Sequence, residues 1–123
     1  MDLLISNTAG VPIYAQITRQ IKEKILSGEL TQGEALPSIR LLANELRISV
    51  ITTKRAYEDL EREGFIYTQQ GRGSFVAAQN PELLREETLR RVEQALQKAL
   101  DEAAQGGITG EEVRTLLNLL MEE

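Results

Sequence analysis

Isoleucines recur every four residues at Ile13, Ile17, Ile21 and Ile25, and Tyr14 and Leu26 broaden the stripe. That spacing predicts an amphipathic helix over residues 13–27. Pro12 suits the first helical position, where no N–H is needed, and Gly28 suits a left-handed stop. Residues 29–36, with Gly33, read as a polar loop closed by Pro37. Ser38 can then cap a short helix reaching about Leu46, with Leu41, Leu42 and Leu46 facing inward. Ser49 offers a second cap. The helix behind it runs to about Glu63 and buries Thr53, Ala56, Tyr57 and Leu60, and Gly64 ends it. Two helices joined by so tight a turn carry the signature of a helix-turn-helix.

After Gly64 the hydrophobic period changes from 3.6 to 2. Phe65, Tyr67 and Phe75 alternate with polar residues around Gln69-Gln70-Gly71-Arg72-Gly73, which predicts a β-hairpin with a mobile tip. From Pro81 the chain turns acidic and helical. Leu89, Val92, Leu96, Ala99 and Ala103 follow a 3-4-3-4 spacing, a narrow seam suited to a partner helix. Gly106-Gly107 breaks the run. Thr109, with Glu112 three residues on, forms a capping box for a last helix whose Val113, Leu116, Leu117 and Leu120 share a face. The expected fold is mostly α with a small β-hairpin: a winged helix-turn-helix over residues 1–78 and a two-helix dimerisation segment over 79–123.

Composition narrows the chemistry. At 123 residues with 41% hydrophobic and 27% charged residues, the chain suits one globular domain with a short appendage. No stretch approaches the apolar length of a membrane span, and the N-terminus lacks the basic and apolar regions of a signal peptide. With neither cysteine nor histidine, thiol chemistry is excluded and transition-metal sites are disfavoured. A cytoplasmic protein without cofactor or metal is expected. The net charge of −5 argues at first against nucleic acid. Its distribution reverses that reading. Residues 12–78 hold nine Lys/Arg against eight Asp/Glu, whereas residues 79–123 hold five against ten. The first two thirds can therefore present a basic face.

Two segments resemble a known family. Gly33-Glu34-Ala35-Leu36-Pro37-Ser38-Ile39-Arg40-Leu41-Leu42-Ala43 is similar to the G-x-x-L-P-S-x-R-x-L-A motif of GntR-family regulators. Arg55-Ala56-Tyr57 through Gly71-Arg72-Gly73-Ser74-Phe75-Val76 resembles that family's recognition helix and wing. The short two-helix tail, and Pro12-Ile13-Tyr14 with Gln16-Ile17, are similar to its YtrA subfamily. The resemblance implies a DNA-binding homodimer, usually a repressor, often of transporter genes. Arg47 stands where the family usually has glycine. Val50 and Ile51 stand where an arginine and a polar residue are common.

On this reading the DNA-binding candidates are Arg40, Ser49, Val50, Ile51, Thr52, Lys54, Arg55, Gln70, Gly71 and Arg72. Ser49 and Thr52 lie in a helix's first turn, where open backbone N–H groups favour a phosphate; Ser49 is equally a plain cap. Arg40 stands at the position that resembles the family's phosphate- or base-contacting arginine; a solvated surface arginine is the alternative. Inward placement of Thr53, Ala56, Tyr57 and Leu60 leaves Ile51, Lys54, Arg55 and Glu58 outward. Arg55 has Glu58 and Asp59 within helical reach as alternative partners. Ile51 either meets a thymine methyl in a major groove or packs partly against the preceding helix. Arg72, between glycines, suits a minor groove or a phosphate.

One recognition helix reads few base pairs, so a homodimer on double-stranded DNA is expected. Its seam is Leu89, Val92, Leu96, Ala99 and Ala103 with Val113, Leu116, Leu117 and Leu120; packing of that seam against the last helix alone is the alternative. The two-helix tail leaves little room for a small-molecule effector pocket. Two rivals stand beside this reading. An enzyme would need a nucleophile–base pair, a phosphate loop or a metal-spaced cluster, and none is present. A winged helix serving only protein interaction would show apolar residues in place of Arg40, Lys54 and Arg72.

Overall fold

The structure is a computed structural model that describes residues 1–7 and 10–122. It divides into two units, residues 1–80 and 81–123. The first contains α1 (Ile13–Leu26), α2 (Ile39–Leu46), α3 (Val50–Arg62), β1 (Ile66–Gln69) and β2 (Gly73–Val76). The second contains α4 (Pro81–Gln105) and α5 (Gly110–Met121).

The first unit closes around one core. Ile17, Ile21 and Ile25 of α1, Leu42 of α2, and Ala56, Tyr57 and Leu60 of α3 are buried in it, with Ile13 half-buried at the edge. The isoleucine stripe thus faces inward as its period requires. Pro12 is the N-cap of α1, one position before the expected first turn, with ψ at 144°. In α2 the expectation fails at one residue. Leu41 is 51% exposed, and Ala43 takes the inward place beside Leu42. An eight-residue helix has barely two turns, so its buried stripe holds few side chains and Leu41 falls outside it.

The hairpin also departs from the expected alternation. Ile66 pairs with Val76 in an antiparallel register, and this pair is buried. Tyr67 and Phe75 are the next pair, on the opposite face, with ring centroids 5.5 Å apart. Strand period alone gives two faces without saying which is inside. The expected polar loop before Pro37 contributes to the sheet as well. Gly33 donates to the Val76 carbonyl at 2.8 Å, Val76 to Glu34 at 2.9 Å, and Leu36 to Ser74 at 2.9 Å. Leu36 and Leu30 from this segment are buried in the core.

An N-terminal arm, not anticipated from sequence, lies along α1. Gln16 accepts from the Ser6 N–H at 2.9 Å and donates to the Ser6 and Val11 carbonyls at 2.8 and 2.9 Å. Gln20 accepts from Leu4 N–H at 2.8 Å and donates to its carbonyl at 2.6 Å. Each amide mimics the donor–acceptor pair of a neighbouring strand and satisfies a segment with no regular structure. The arm delivers Leu3 into the core.

Just past the hairpin, the Gln79 amide donates to the Ala77 carbonyl at 2.6 Å and to that of Phe65 at 3.3 Å. In the second unit, Gly107 adopts φ +74° and Ile108 donates to the Ala103 carbonyl at 2.8 Å, which ends α4. The Thr109 hydroxyl then accepts from Glu112 N–H at 3.2 Å and caps α5. No residue of α4 or α5 is buried.

Candidate nucleic-acid interface

Three short segments of the first unit carry the candidate residues. Ser38 caps α2 by accepting from Leu41 N–H at 3.1 Å, and this sets Arg40 in the first turn, exposed. Ser49 caps α3 by accepting from Thr52 N–H at 3.1 Å, with the two hydroxyls 3.3 Å apart. Both Ser49 and Thr52 are thus engaged in the cap. Thr53 is fully buried and donates to the Ser49 carbonyl at 3.1 Å. That inward anchor turns Val50, Ile51, Lys54 and Arg55 outward.

Ile51 is 81% exposed. Of the two placements open to it from sequence, the packed one is therefore excluded within this unit. Val50, at 48%, is partly covered. At the hairpin, Gln70, Gly71 and Arg72 are exposed in the turn between β1 and β2. Gly71 takes φ +82°, a conformation side chains disfavour.

The turn between α2 and α3 is made by a residue that ought to be costly there. Arg47 adopts φ 56°, ψ 48°, the one non-glycine in the left-handed region among the described residues. Its N–H donates to Asn44 at 3.3 Å, and Ile48 donates to Ala43 at 3.0 Å. The same two bonds end α3, where Gly64 donates to Glu61 at 3.0 Å and Phe65 to Leu60 at 2.9 Å. Arg47 therefore performs a glycine's task, at about 1 kcal/mol of backbone strain.

The charges are arranged unevenly. Residues 38–57 hold Arg40, Arg47, Lys54 and Arg55 against the single carboxylate Glu45. Residues 58–63 hold Glu58, Asp59, Glu61 and Glu63 against Arg62. Lys54 and Arg55 lie beyond the first turn of α3, where the helix dipole has little effect, so helix stability does not set their place. Elsewhere in the first unit three cations are paired with carboxylates: Lys22 with Glu63 at 2.8 Å, Lys24 with Glu29 at 2.6 Å, and Arg62 with Asp59. Arg40, Arg47, Lys54, Arg55 and Arg72 have no carboxylate partner among the described residues. Arg55 thus pairs with neither Glu58 nor Asp59. Its guanidinium carbon instead lies 3.6 Å from the ring centroid of Tyr14. Sequence reasoning missed this partner, because nothing local links residues 41 positions apart.

Tyr57 braces the assembly from behind. Its hydroxyl donates to the Pro37 carbonyl at 2.7 Å. Burial, with a smaller effect from the Glu45 carboxylate, pushes the phenol well above its usual range. Among the described residues no Asp/Glu cluster could hold a metal ion, and no helix is long and apolar enough to cross a membrane.

In the second unit the expected seam is exposed. Leu89, Val92 and Leu96 lie on the surface of α4, and Ala99 beside them, whereas Ala103 is half-buried. On α5, Leu116, Leu117 and Leu120 are exposed and Val113 is half-buried. Leu83 and Leu100 join Leu89, Val92 and Leu96 along one open groove. Leu100, four residues after Leu96, was hidden by a strict 3-4 spacing that selects Ala99.

Three helices, a paired hairpin packed behind the third, and exposed basic residues on the second and third helices, their turn and the hairpin tip define a winged helix-turn-helix. The family model for bacterial regulatory proteins of the gntR family matches residues 13–76, and the chain belongs to that family. It is a transcriptional regulator rather than an enzyme. It is 35% identical to the HTH-type transcriptional repressor YtrA of Bacillus subtilis, over 85% of this chain and 80% of that one. That coverage exceeds what residues 1–80 can supply, so the likeness extends into the C-terminal helices. Among solved structures, YtrA from Sulfolobus acidocaldarius, a GntR-family transcription factor, is similar with TM-score 0.62 at 38% identity, covering 76% of this chain and 96% of that one. AraR(DBD) in complex with operator ORX1 is similar with TM-score 0.56 at 29% identity, covering 63% and 96%.

Proposed function

We propose that this chain is a dimeric repressor, acting in the cytoplasm, that reads a palindromic operator. In this reading α3 enters the major groove, with Ile51 against a thymine methyl and Thr52 and Lys54 beside it. Arg40 and the hairpin residues Gln70, Gly71 and Arg72 hold the flanking phosphates or minor groove. The observation that carries the reading is the set of unneutralised cations on α2, its turn, the first half of α3 and the hairpin tip. A surface that leaves its cations without carboxylates, while three other cations of the same unit are paired, suits a polyanion. The operator complex of the similar AraR(DBD) and the repressor name of the YtrA relative support it.

The second unit supports dimerisation. Two helices that bury no residue have no core of their own, so their apolar faces require a partner. A second copy meets that need through Leu89, Val92, Leu96, Ala99 and Ala103, joined by Val113, Leu116, Leu117 and Leu120. It also doubles a short half-site. Selection of duplexes from a random pool by the purified protein tests the reading. The expected outcome is an inverted repeat bound by a species of twice the chain mass in ultracentrifugation. Enrichment of no sequence, or a monomer at micromolar concentration, overturns it.

A further inference from the structure

We propose that Tyr14, on α1 and outside both the helix-turn-helix and the wing, is a positioning residue that holds Arg55 ready for a DNA phosphate. The proposal rests on the DNA-binding reading above and adds α1 to the machinery of that surface. Arg55 follows Ile51 by four residues and Thr52 by three, so it stands one turn along from them on the outward side of α3, and it is exposed. Its guanidinium carbon lies 3.6 Å from the centre of the Tyr14 ring. At that distance the cation stacks through its flat face, which leaves the N–H groups at its edge available in one plane.

No carboxylate among the described residues draws that edge inward. Asp59, four residues on, is taken by Arg62. An exposed arginine ordinarily loses rotamer freedom when it binds, whereas stacking removes that freedom beforehand. Tyr14 itself is fixed. It is half-buried, packed against the core of the first unit. The ring is therefore a stable platform, supplied by the helix that packs across α3. Lysine could not use it in the same way, because an ammonium has no face to stack.

The test measures affinity against salt for Tyr14→Leu, Tyr14→Phe, Arg55→Gln, Arg55→Lys and the Tyr14→Leu/Arg55→Gln double variant. The probes are a duplex selected by the wild-type protein and random-sequence duplex DNA, with thermal melting run in parallel. Tyr14→Leu and Arg55→Gln are each expected to weaken binding about five- to tenfold. Arg55→Gln also lowers the log–log salt slope by about 0.9. Tyr14→Leu lowers it in the same direction, and the double variant is no worse than Arg55→Gln. Tyr14→Phe keeps the ring and binds as wild type, and Arg55→Lys falls between. Independent, multiplying losses overturn the proposal, as does a wild-type slope in Arg55→Gln. Should Tyr14→Leu not fold, wild-type binding by Arg55→Lys overturns it alone. Failure of the DNA reading itself would look different: Lys54→Gln and Arg72→Ala would leave the slope unchanged too.

Discussion

The Tyr57 hydroxyl donates a 2.7 Å hydrogen bond to the carbonyl of Pro37, joining the middle of α3 to the residue just before the cap of α2. The two helices that carry most of the basic surface are thus tied at a point remote from their connecting turn. Tyr57→Phe leaves that carbonyl without its donor and is expected to destabilise the first unit by about 1–3 kcal/mol, read by thermal or urea unfolding.

The same bond predicts an alkaline effect. The phenol is held neutral above its ordinary pKa, so above about pH 10 the unfolded chain releases a proton that the folded chain keeps. Stability from this group is complete below that pH and falls as pH rises further, by at most about 1.4 kcal/mol per unit. Unfolding curves of wild type and Tyr57→Phe should converge between pH 10 and higher values; a constant gap would contradict the assignment.

Arg47 occupies a left-handed position that glycine adopts without penalty. Arg47→Gly is expected to raise stability by up to about 1 kcal/mol, less whatever the freer unfolded chain takes back. Arg47→Ala keeps the strain and should bring no gain. Chemical denaturation of the pair separates backbone strain from loss of the side chain.

Gln16 is 3% exposed and holds Ser6 and Val11 through three backbone hydrogen bonds. Replacing it with leucine strands those groups and is expected to lower stability by about 1–3 kcal/mol. Hydrogen exchange at the Ser6 amide should rise sharply in Gln16→Leu, while amides of α3 slow and quicken only with global unfolding.

Leu96 stands on the exposed face of α4. Leu96→Glu adds a charge to an apolar seam, so it should convert a dimer to monomers in ultracentrifugation while the melting of the first unit is unchanged. Ile51→Ala should shift stability by less than about 0.5 kcal/mol because the side chain is exposed. It should weaken binding chiefly to sites that carry the contacted thymine, and equal weakening on all sites would refute that contact.

The order of elements was legible in the sequence because each rested on local physics. Isoleucines at helical spacing drove α1 inward. Ser38, Ser49 and Thr109 capped the helices that follow them, because a serine or threonine oxygen reaches an open N–H three residues on whatever surrounds it. The motif residues around Pro37 and the glycines of the hairpin carried the family. What needed tertiary structure was every relation across long separations or between equivalent faces. A two-turn helix and a four-residue strand offer little period to choose a face, so Leu41 and the Ile66–Val76 pair were decided by packing. The glutamine clasps on the arm and the Tyr14–Arg55 stack arise only when distant segments meet, and only the folded chain shows that the basic residues have no carboxylate partner among the described residues. Sequence determined which residues are helical, capped or charged; folding decided which charges are left without partners.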